Sequence, residues 1–235
     1  MPLRLRGLDP ELFTALRTDP NRLWQLLQEH IVDGKYTTAN VIDDQVLRTR
    51  AGTELRLRLR KDAKTFTVNT ARVIDTDNEG LSGIIHVVDS ILYKPSLTIG
   101  TFLRNHGNFS SFIQGLSSAG VMSRLSSEPG PFTVFALPDP DPSDDNVEYL
   151  TLWRILQSPE YIGHIINNHV VEGFIPLKGL EEHYYYEISN LNKEPLILLK
   201  DGNITSAGIA DVIEPDILAT NGVVHIVNRI IQRVY

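Results

Sequence analysis

The chain has 235 residues, of which 42% are apolar, and its 29 acidic against 22 basic residues give a net charge of −7. This length suits two domains of roughly 100 to 150 residues, and the composition excludes a disordered or collagen-like chain. The acidic balance argues against nucleic acid as a partner, and the absence of cysteine excludes disulfides and thiolate chemistry.

No segment predicts export or membrane insertion. The first six residues lack the apolar core of about 7 to 15 residues that a secretory signal needs. No apolar run approaches the roughly 18 residues of a membrane-spanning helix. The sequence itself therefore shows neither a signal peptide nor a membrane span.

The first half begins with helical periodicity and continues as sheet. Residues 9–34 favour two helices, the second beginning at Pro20 and predicted to bury the apolar side chains of its inner face. Those side chains are Leu23, Trp24, Leu26, Leu27 and Ile31. Residues 54–60, 65–69 and 71–74 then predict strands, and residues 82–88 predict a last apolar strand.

The second half repeats this order after an additional segment. Residues 98–106 and 108–125 predict helices, and residues 132–136 predict a strand. A helical stretch around Leu152 and Trp153 follows, and then strands at 184–188, 195–199 and 210–213. The Asp201-Gly202 pair predicts a hairpin turn, and residues 223–227 predict a buried terminal strand.

The two halves correspond at a constant offset of 139 positions. His30 precedes His86 by 56 positions, and His169 precedes His225 by the same number. The offset also matches three pairs of turn residues: Pro20 with Pro159, Gly34 with Gly173, and Gly83 with Gly222. Equal spacing across a whole half predicts a duplicated domain with one shared fold.

The offset leaves residues 97–139 without a counterpart in the first half. We therefore expect the first domain to lack its N-terminal third, which would leave strand edges and apolar faces uncovered. One explanation is a longer parent chain or an incomplete gene model. The alternative is that a neighbouring chain or a rearranged N-terminus fills the vacancy.

Three separated motifs resemble the fasciclin-domain family: residues 132–139 (FTVFALPD), 169–173 (HVVEG) and 219–227 (ATNGVVHIV). The resemblance implies an α+β fold of tandem fasciclin domains, each a wedge-shaped β-sandwich flanked by helices. It places a truncated domain at residues 1–93 and a complete one at 94–235. Residues 210–227 are most similar to secreted, matrix-associated adhesion members, so the resemblance implies an extracellular protein that binds other proteins rather than an enzyme. A purely structural spacer that positions neighbouring domains is an alternative role.

The chain departs from the family pattern at two places. The first motif continues into a proline-rich run at residues 136–142, which should reshape that loop. The tyrosine that often precedes the central histidine is Asn168 in the second half and Glu29 in the first. An adhesive tyrosine–histidine pair is therefore not expected in this chain.

Residues 214–218 are the main candidate for partner recognition. In relatives a similar segment is proposed to bind integrin-type receptors, which read an exposed carboxylate that completes the oxygen shell of a divalent metal. The segment consists of Glu214, Pro215, Asp216, Ile217 and Leu218. In the alternative, Ile217 and Leu218 belong to the core and Asp216 is a turn or capping residue.

Two other surface features carry predictions. Arg56, Arg58 and Arg60 alternate with leucines on one strand, which predicts either a solvated sheet face or a row of donors for sulphated glycosaminoglycan. Asn108 and Asn203 begin N-glycosylation sequons, and the turn position of Asn203 makes it the better acceptor.

The histidines do not predict a metal centre. His164 and His169 are five positions apart, which points their side chains away from each other on a helix. We expect His30, His86, His169 and His225 to be structural residues bonded to backbone groups. Residues 115–120 (GLSSAG) are one residue too long for a nucleophile elbow. We expect the chain to be no enzyme and to hold no metal or cofactor.

Overall fold

The computed structural model describes residues 10–60, 65–139 and 161–231, with side chains from residue 14 onward. The chain forms two compact units, Met1–Lys94 and Pro95–Tyr235, here called the first and the second domain. The helix predicted around Leu152 and Trp153 lies outside the described residues.

The described residues of the first domain form two short helices followed by five strands. Helix α2 begins with a proline at its first position, and the Asp19 carboxylate caps it by accepting the backbone N–H groups of Asn21 and Arg22. The five strands form one sheet in sequential order, each antiparallel to the next. The elements are α1 Pro10–Thr18, α2 Pro20–Gln28, β1 Val46–Arg48, β2 Glu54–Arg60, β3 Thr65–Val68, β4 Ala71–Gly80 and β5 Gly83–Val88.

The prediction that α2 buries its apolar face is wrong. Leu55 and Leu57 of β2 pack with Phe66 and other apolar residues into a core, as strand alternation predicts. No side chain of α2 is buried; Leu26 is half-buried, and Trp24 is 65% exposed. Leu23, Leu27 and Ile31 are exposed as well. Hydrophobic periodicity therefore identifies the helix, but the face that it predicts to be buried remains open.

The second domain begins with three helices and contains a seven-stranded sheet. Its strands follow the order β7-β6-β12-β11-β10-β9-β8, where β6 and β12 are parallel and the other neighbours are antiparallel. The helices among its described residues are α3 Ile99–His106, α4 Ser110–Ser118, α5 Val121–Ser127 and α6 Ile162–Asn168. The strands are β6 Phe132–Ala136, β7 Val170–Glu172, β8 Tyr185–Ser189, β9 Pro195–Asp201, β10 Ile204–Ala207, β11 Ala210–Ala219 and β12 Gly222–Val227.

The single helix predicted for residues 108–125 is in fact two helices, α4 and α5. Gly120 lies between them with φ of 72°, a left-handed conformation that ends a helix. Gly115 of α4 allows α6 to approach closely, because a Cβ at this position would lie 2.7 Å from the Ile166 side chain. Helices α4 and α6 therefore pack directly against each other.

Strands β6 and β12 form the centre of the second domain, and every residue of both strands is buried. Strand β11 links the two parts of the sheet, since it pairs with β12 on one edge and with β10 on the other. Its pairing with β12 is interrupted by register shifts on both sides of Glu214. These bulges bend the strand and re-aim its side chains, and they lie within the candidate recognition segment.

Candidate functional site

The candidate segment lies opposite a buried histidine of β12. His225 is fully buried; its Nδ1 accepts the backbone N–H of Asp216 at 2.9 Å, and its Nε2 donates to the Ile175 carbonyl oxygen at 3.0 Å. Because one ring nitrogen accepts and the other donates, the imidazole is neutral. Burial accordingly lowers the pKa of His225 to about 4.

His169, at the end of α6, is held in the same way. Its Nδ1 donates to the Phe135 carbonyl oxygen at 2.8 Å, and its Nε2 accepts the backbone N–H of Ile231 at 3.0 Å. Burial lowers its pKa to about 4. Both histidines therefore tie the chain together through backbone groups. Within the described residues, no group of three or more His, Asp or Glu side chains could hold a metal ion.

The first domain repeats these bonds with one exception. His86 contacts the Tyr36 carbonyl oxygen at 2.8 Å and the Asp77 N–H at 3.3 Å, and His30 accepts the Leu92 N–H at 3.0 Å. Each contact matches one of the second domain at the offset of 139. The exception is Nδ1 of His30, which contacts the Leu26 carbonyl oxygen of its own helix instead of a strand.

Asp216 does not present the exposed carboxylate that receptor recognition by this residue would require. Its side chain is 3% exposed, and its two oxygens accept the backbone N–H groups of Leu177 at 2.7 Å and Lys178 at 3.0 Å. These N–H groups begin the short 3-10 turn Leu177–Gly179, so Asp216 acts as a capping residue. The backbone of Asp216 is left-handed, with φ of 65°.

Asp77 reproduces this arrangement in the first domain. It has φ of 58°, its carboxylate accepts the Thr38 N–H at 2.9 Å, and the Thr38 hydroxyl also donates to it. These hydrogen bonds, first that from the Thr38 hydroxyl, lower the pKa of Asp77. Since both domains contain the device, Asp216 belongs to the shared architecture. The sequence signal for this was the matching acidic residue at the offset of 139.

The exposed part of the segment lies just before Asp216. Glu214 and Pro215 are exposed, and the neighbouring Ile213 is 60% exposed. Ile217 and Leu218 are half-buried and pair with Val224 and Val223 of β12. The bulged strand therefore displays one accessible carboxylate, that of Glu214, beside a proline and an exposed isoleucine.

The arginine row is already paired with acidic side chains. Arg56 lies 2.9 Å from Asp44, and Arg58 lies 3.3 Å from Asp44 and 3.5 Å from Asp43. Arg60, at the end of β2, is half-buried. The paired carboxylates offset much of the positive charge that a sulphated polyanion would need, so the geometry favours the solvated sheet face.

Both sequon asparagines are exposed. Asn203 lies in the β9–β10 turn, where Gly202 has φ of 58°. Asn108 precedes α4, and the Asp139 carboxylate accepts the N–H groups of Ser110 and Ser111 at the start of that helix. This capping role of Asp139 was not predicted, because it joins a helix to the end of a distant strand.

The geometry thus defines a protein of two tandem, duplicated α+β domains, each fastened by paired histidines and a capping aspartate. The chain belongs to the fasciclin-domain family, whose profile matches residues 5–94 and 107–233. The family resemblance and the tandem α+β fold predicted from the motifs are therefore confirmed.

The chain is similar to two curated proteins that are much longer than itself. It is 23% identical to transforming growth factor-beta-induced protein ig-h3 of Oryctolagus cuniculus over 237 residues, which cover 96% of this chain and 32% of that protein. It is 24% identical to periostin of Homo sapiens over 226 residues, which cover 92% of this chain and 25% of periostin. The chain thus spans about a third or less of these relatives.

A solved domain pair has the same fold. The structure of a FAS1 domain pair from the insect cell adhesion molecule Fasciclin I superposes with a TM-score of 0.51 and 17% sequence identity. The match covers 94% of this chain and 83% of that one. At this identity the likeness establishes the fold alone. In the part of the chain described here, no helix is both long and apolar enough to cross a membrane.

Proposed function

We propose that the chain is an extracellular adhesion module that binds a receptor or matrix proteins by protein–protein interaction. The observation that carries the proposal is the pair of fasciclin domains, which resembles the domain pair of a cell adhesion molecule over nearly the whole chain. The similarity to transforming growth factor-beta-induced protein and periostin supports it. The proposed role is binding rather than catalysis.

We further propose that the segment 214–218 contacts an integrin-type receptor through Glu214. Its carboxylate is exposed, whereas the carboxylate of Asp216 is buried and fully engaged. A receptor of this type would read a carboxylate that completes the shell of a divalent cation. Pro215 restricts the backbone and lowers the ordering cost of binding, and Ile213 offers adjacent apolar area.

Cell attachment to surfaces coated with the chain tests the proposal. The change Glu214→Gln keeps the shape of the side chain and removes its charge, so we expect attachment to fall about tenfold while the melting temperature stays unchanged. The matched control is Asp75→Asn, because Asp75 is the exposed counterpart of Glu214 in the first domain. EDTA should abolish the attachment that depends on Glu214.

Unchanged attachment of a folded Glu214→Gln variant would contradict recognition through this carboxylate. Attachment that survives EDTA would contradict a receptor of the integrin type and leave matrix binding as the role. If the unaltered chain supports no attachment and binds no matrix protein, the adhesion proposal itself is wrong.

A further inference from the structure

The outward face of strands β8, β9 and β10 in the second domain is apolar and partly open. Alternate residues of these strands, such as Leu198 of β9, are fully buried in the core. On the opposite face the strand register places Tyr185 of β8 beside Leu199 of β9, with Ile204 farther along on β10. Tyr185 is 69% exposed and Ile204 is 59% exposed, while Ile197 and Leu199 on the strand between them are half-buried. These outward positions, here called the β9 face, are Tyr185, Glu187, Ile197, Leu199, Asp201, Ile204 and Ser206.

The first domain has arginine at the positions of the two half-buried apolar residues. The residues opposite Arg58 on β3 and opposite Leu199 on β10 match at the offset of 139, so Arg58 and Leu199 occupy the same position. Arg56 and Ile197, two positions earlier on the same strands, correspond likewise. Both arginines form ion pairs with Asp44. Since the first domain folds with charged side chains here, the fold itself does not require apolar ones in the second.

The charged residues of the β9 face are acidic. The register places Glu187 in the row at one end of the face and Asp201 in the row at the other, and both are exposed. The seven positions include no lysine or arginine. Lys200 of β9 lies at an alternate position, and its Nζ is 2.9 Å from the Glu182 carboxylate. The face is therefore apolar at its centre and negative at its ends, a composition that suits an interface with a basic partner.

Charge also separates the possible occupants. Two copies joined through the β9 face would bring equal acidic ends together, which is unfavourable. The arginines of the first domain do not offer a complementary surface, because Asp43 and Asp44 already pair with Arg56 and Arg58. An uncovered apolar sheet face is ordinarily closed by the apolar stripe of a helix. A helix with lysine or arginine along the borders of that stripe would match the acidic ends as well.

We propose that the β9 face binds an amphipathic helix of a partner protein, whose apolar stripe is bordered by lysine or arginine. The stripe covers Ile197 and Leu199, and the basic side chains meet Glu187 and Asp201. The site goes beyond the proposed recognition through Glu214, and its test does not use cell attachment.

A designed helical peptide of about 14 residues tests the proposal on the full 235-residue chain. It carries leucine at the a, d and e positions of each heptad and lysine at the others, with fluorescein at its C-terminus. Fluorescence anisotropy at about 0.15 M salt should show saturable binding with a dissociation constant below about 100 μM. Two control peptides should not bind: one has glutamate in place of lysine, and the other has the same residues in an order that forms no apolar stripe.

Three protein variants locate the binding. Ile197→Thr with Leu199→Thr removes apolar area from the β9 face and should weaken the peptide at least about tenfold. The matched control is Ile85→Thr with Val87→Thr, which removes exposed apolar area from β5 of the first domain and should leave binding unchanged. Tyr185→Ser alters a side chain that lies mostly in solvent, so it should weaken binding at least about threefold at an unchanged melting temperature.

A charge variant tests the acidic ends of the face. Glu187→Gln with Asp201→Asn keeps the shape of both side chains and should weaken the peptide about fivefold, with a smaller dependence on salt. Binding that is as strong and as salt-dependent as that of the unaltered chain would overturn the proposed basic partner.

The remaining outcomes are equally decisive. Saturable binding that the β9-face variants weaken and the β5 variant preserves supports the proposal. The proposal is overturned if the helical peptide does not bind, if the peptide without a stripe binds equally well, or if the β5 variant weakens binding as much as the β9-face variants. A dimer of the unaltered chain that Ile197→Thr with Leu199→Thr dissociates would overturn it, because the occupant would then be a second copy. Binding to phosphatidylcholine vesicles that the same change abolishes would overturn it in favour of a lipid surface.

Discussion

The first and second domains share their hydrogen bonds but not their burial. His86 and His225 make the same two contacts, and Asp77 and Asp216 have the same left-handed backbone. Yet Ile85 is largely exposed where Val224 is buried. The histidine and aspartate network thus holds together a hairpin and a nearby turn, and it forms whether or not a further strand covers the sheet.

The difference shows which residues the strand β6 alone explains. Burial of β12 and the close approach at Gly222 depend on β6. The bonds of His225 to Asp216 and Ile175 do not, because their counterparts form in the first domain, whose described residues include no such strand. An open apolar edge of this kind marks an interaction surface or an aggregation hazard. The predictions below test the comparison from the largest effect to the smallest.

Replacing each of the two equivalent glycines by alanine should lower the unfolding free energy of the second domain far more than that of the first. Gly222→Ala places a methyl group 1.9 Å from a backbone oxygen, so we expect the second domain to lose about 4 kcal/mol or more of unfolding free energy. Gly83→Ala should change the first domain by less than about 1 kcal/mol, since no atom lies within 4 Å. Hydrogen exchange resolved to residues 222–227 and 83–88 measures each domain separately.

Equal destabilisation by the two substitutions would contradict this comparison. It would mean that a strand already occupies the edge of β5 in solution. Gly80→Ala controls for the loss of a flexible residue in the first-domain hairpin, because its Cβ makes only ordinary contact with Gly83.

Acidification should destabilise the second domain above the pH at which carboxylates respond. Folding holds His169 and His225 neutral with a pKa of about 4, whereas the unfolded chain binds a proton near the ordinary pKa of 6.5. The stabilisation is therefore complete above pH 6.5 and is lost as the pH falls toward 4. The loss amounts to about 2 kcal/mol per histidine at pH 5. Urea unfolding at several pH values, followed by hydrogen exchange of β12, measures it.

The carboxylates with lowered pKa values respond at a lower pH than the histidines. Glu172, bonded to Arg124, and Glu182, bonded to Lys200, also have lowered pKa values, but their ordinary pKa is 4.5 and their losses begin below it. The interval from pH 6.5 to 5 therefore reports mainly the histidines. Ring signals of His169 and His225 that titrate near pH 6.5 in the folded protein would contradict the prediction.

Sequence alone gave the family, the duplication and most strands, because these depend on local periodicity and on the constant spacing between the halves. The constant offset also left residues 97–139 without a counterpart, and so indicated uncovered strand edges in the first domain. It did not give the exposure of α2, since periodicity shows which face of a helix is apolar and not whether another element covers it. Trp24 is the clearest case.

The sequence left two roles open for Asp216, receptor contact and capping, and its neighbours in the chain could not decide between them. Its partners, the N–H groups of Leu177 and Lys178, lie 39 and 38 positions away, and only the fold brings them together. The bulges in β11 have the same origin: they turn Asp216 inward and leave Glu214 outside. An alternating pattern without bulges would instead place both acidic residues on one face.

Removing the two capping aspartates should produce a smaller difference between the domains than replacing the two glycines. The Asp216 side chain is almost completely buried, so Asp216→Ala leaves the N–H groups of Leu177 and Lys178 without an acceptor. We expect the second domain to lose about 3 kcal/mol of unfolding free energy. Asp77→Ala should cost the first domain about 1 kcal/mol, because the Thr38 groups that it releases lie in a half-buried region that water can reach. Urea unfolding followed by hydrogen exchange compares the two. A first domain that loses as much as the second would show that the Asp77 site is as poorly accessible to water as that of Asp216.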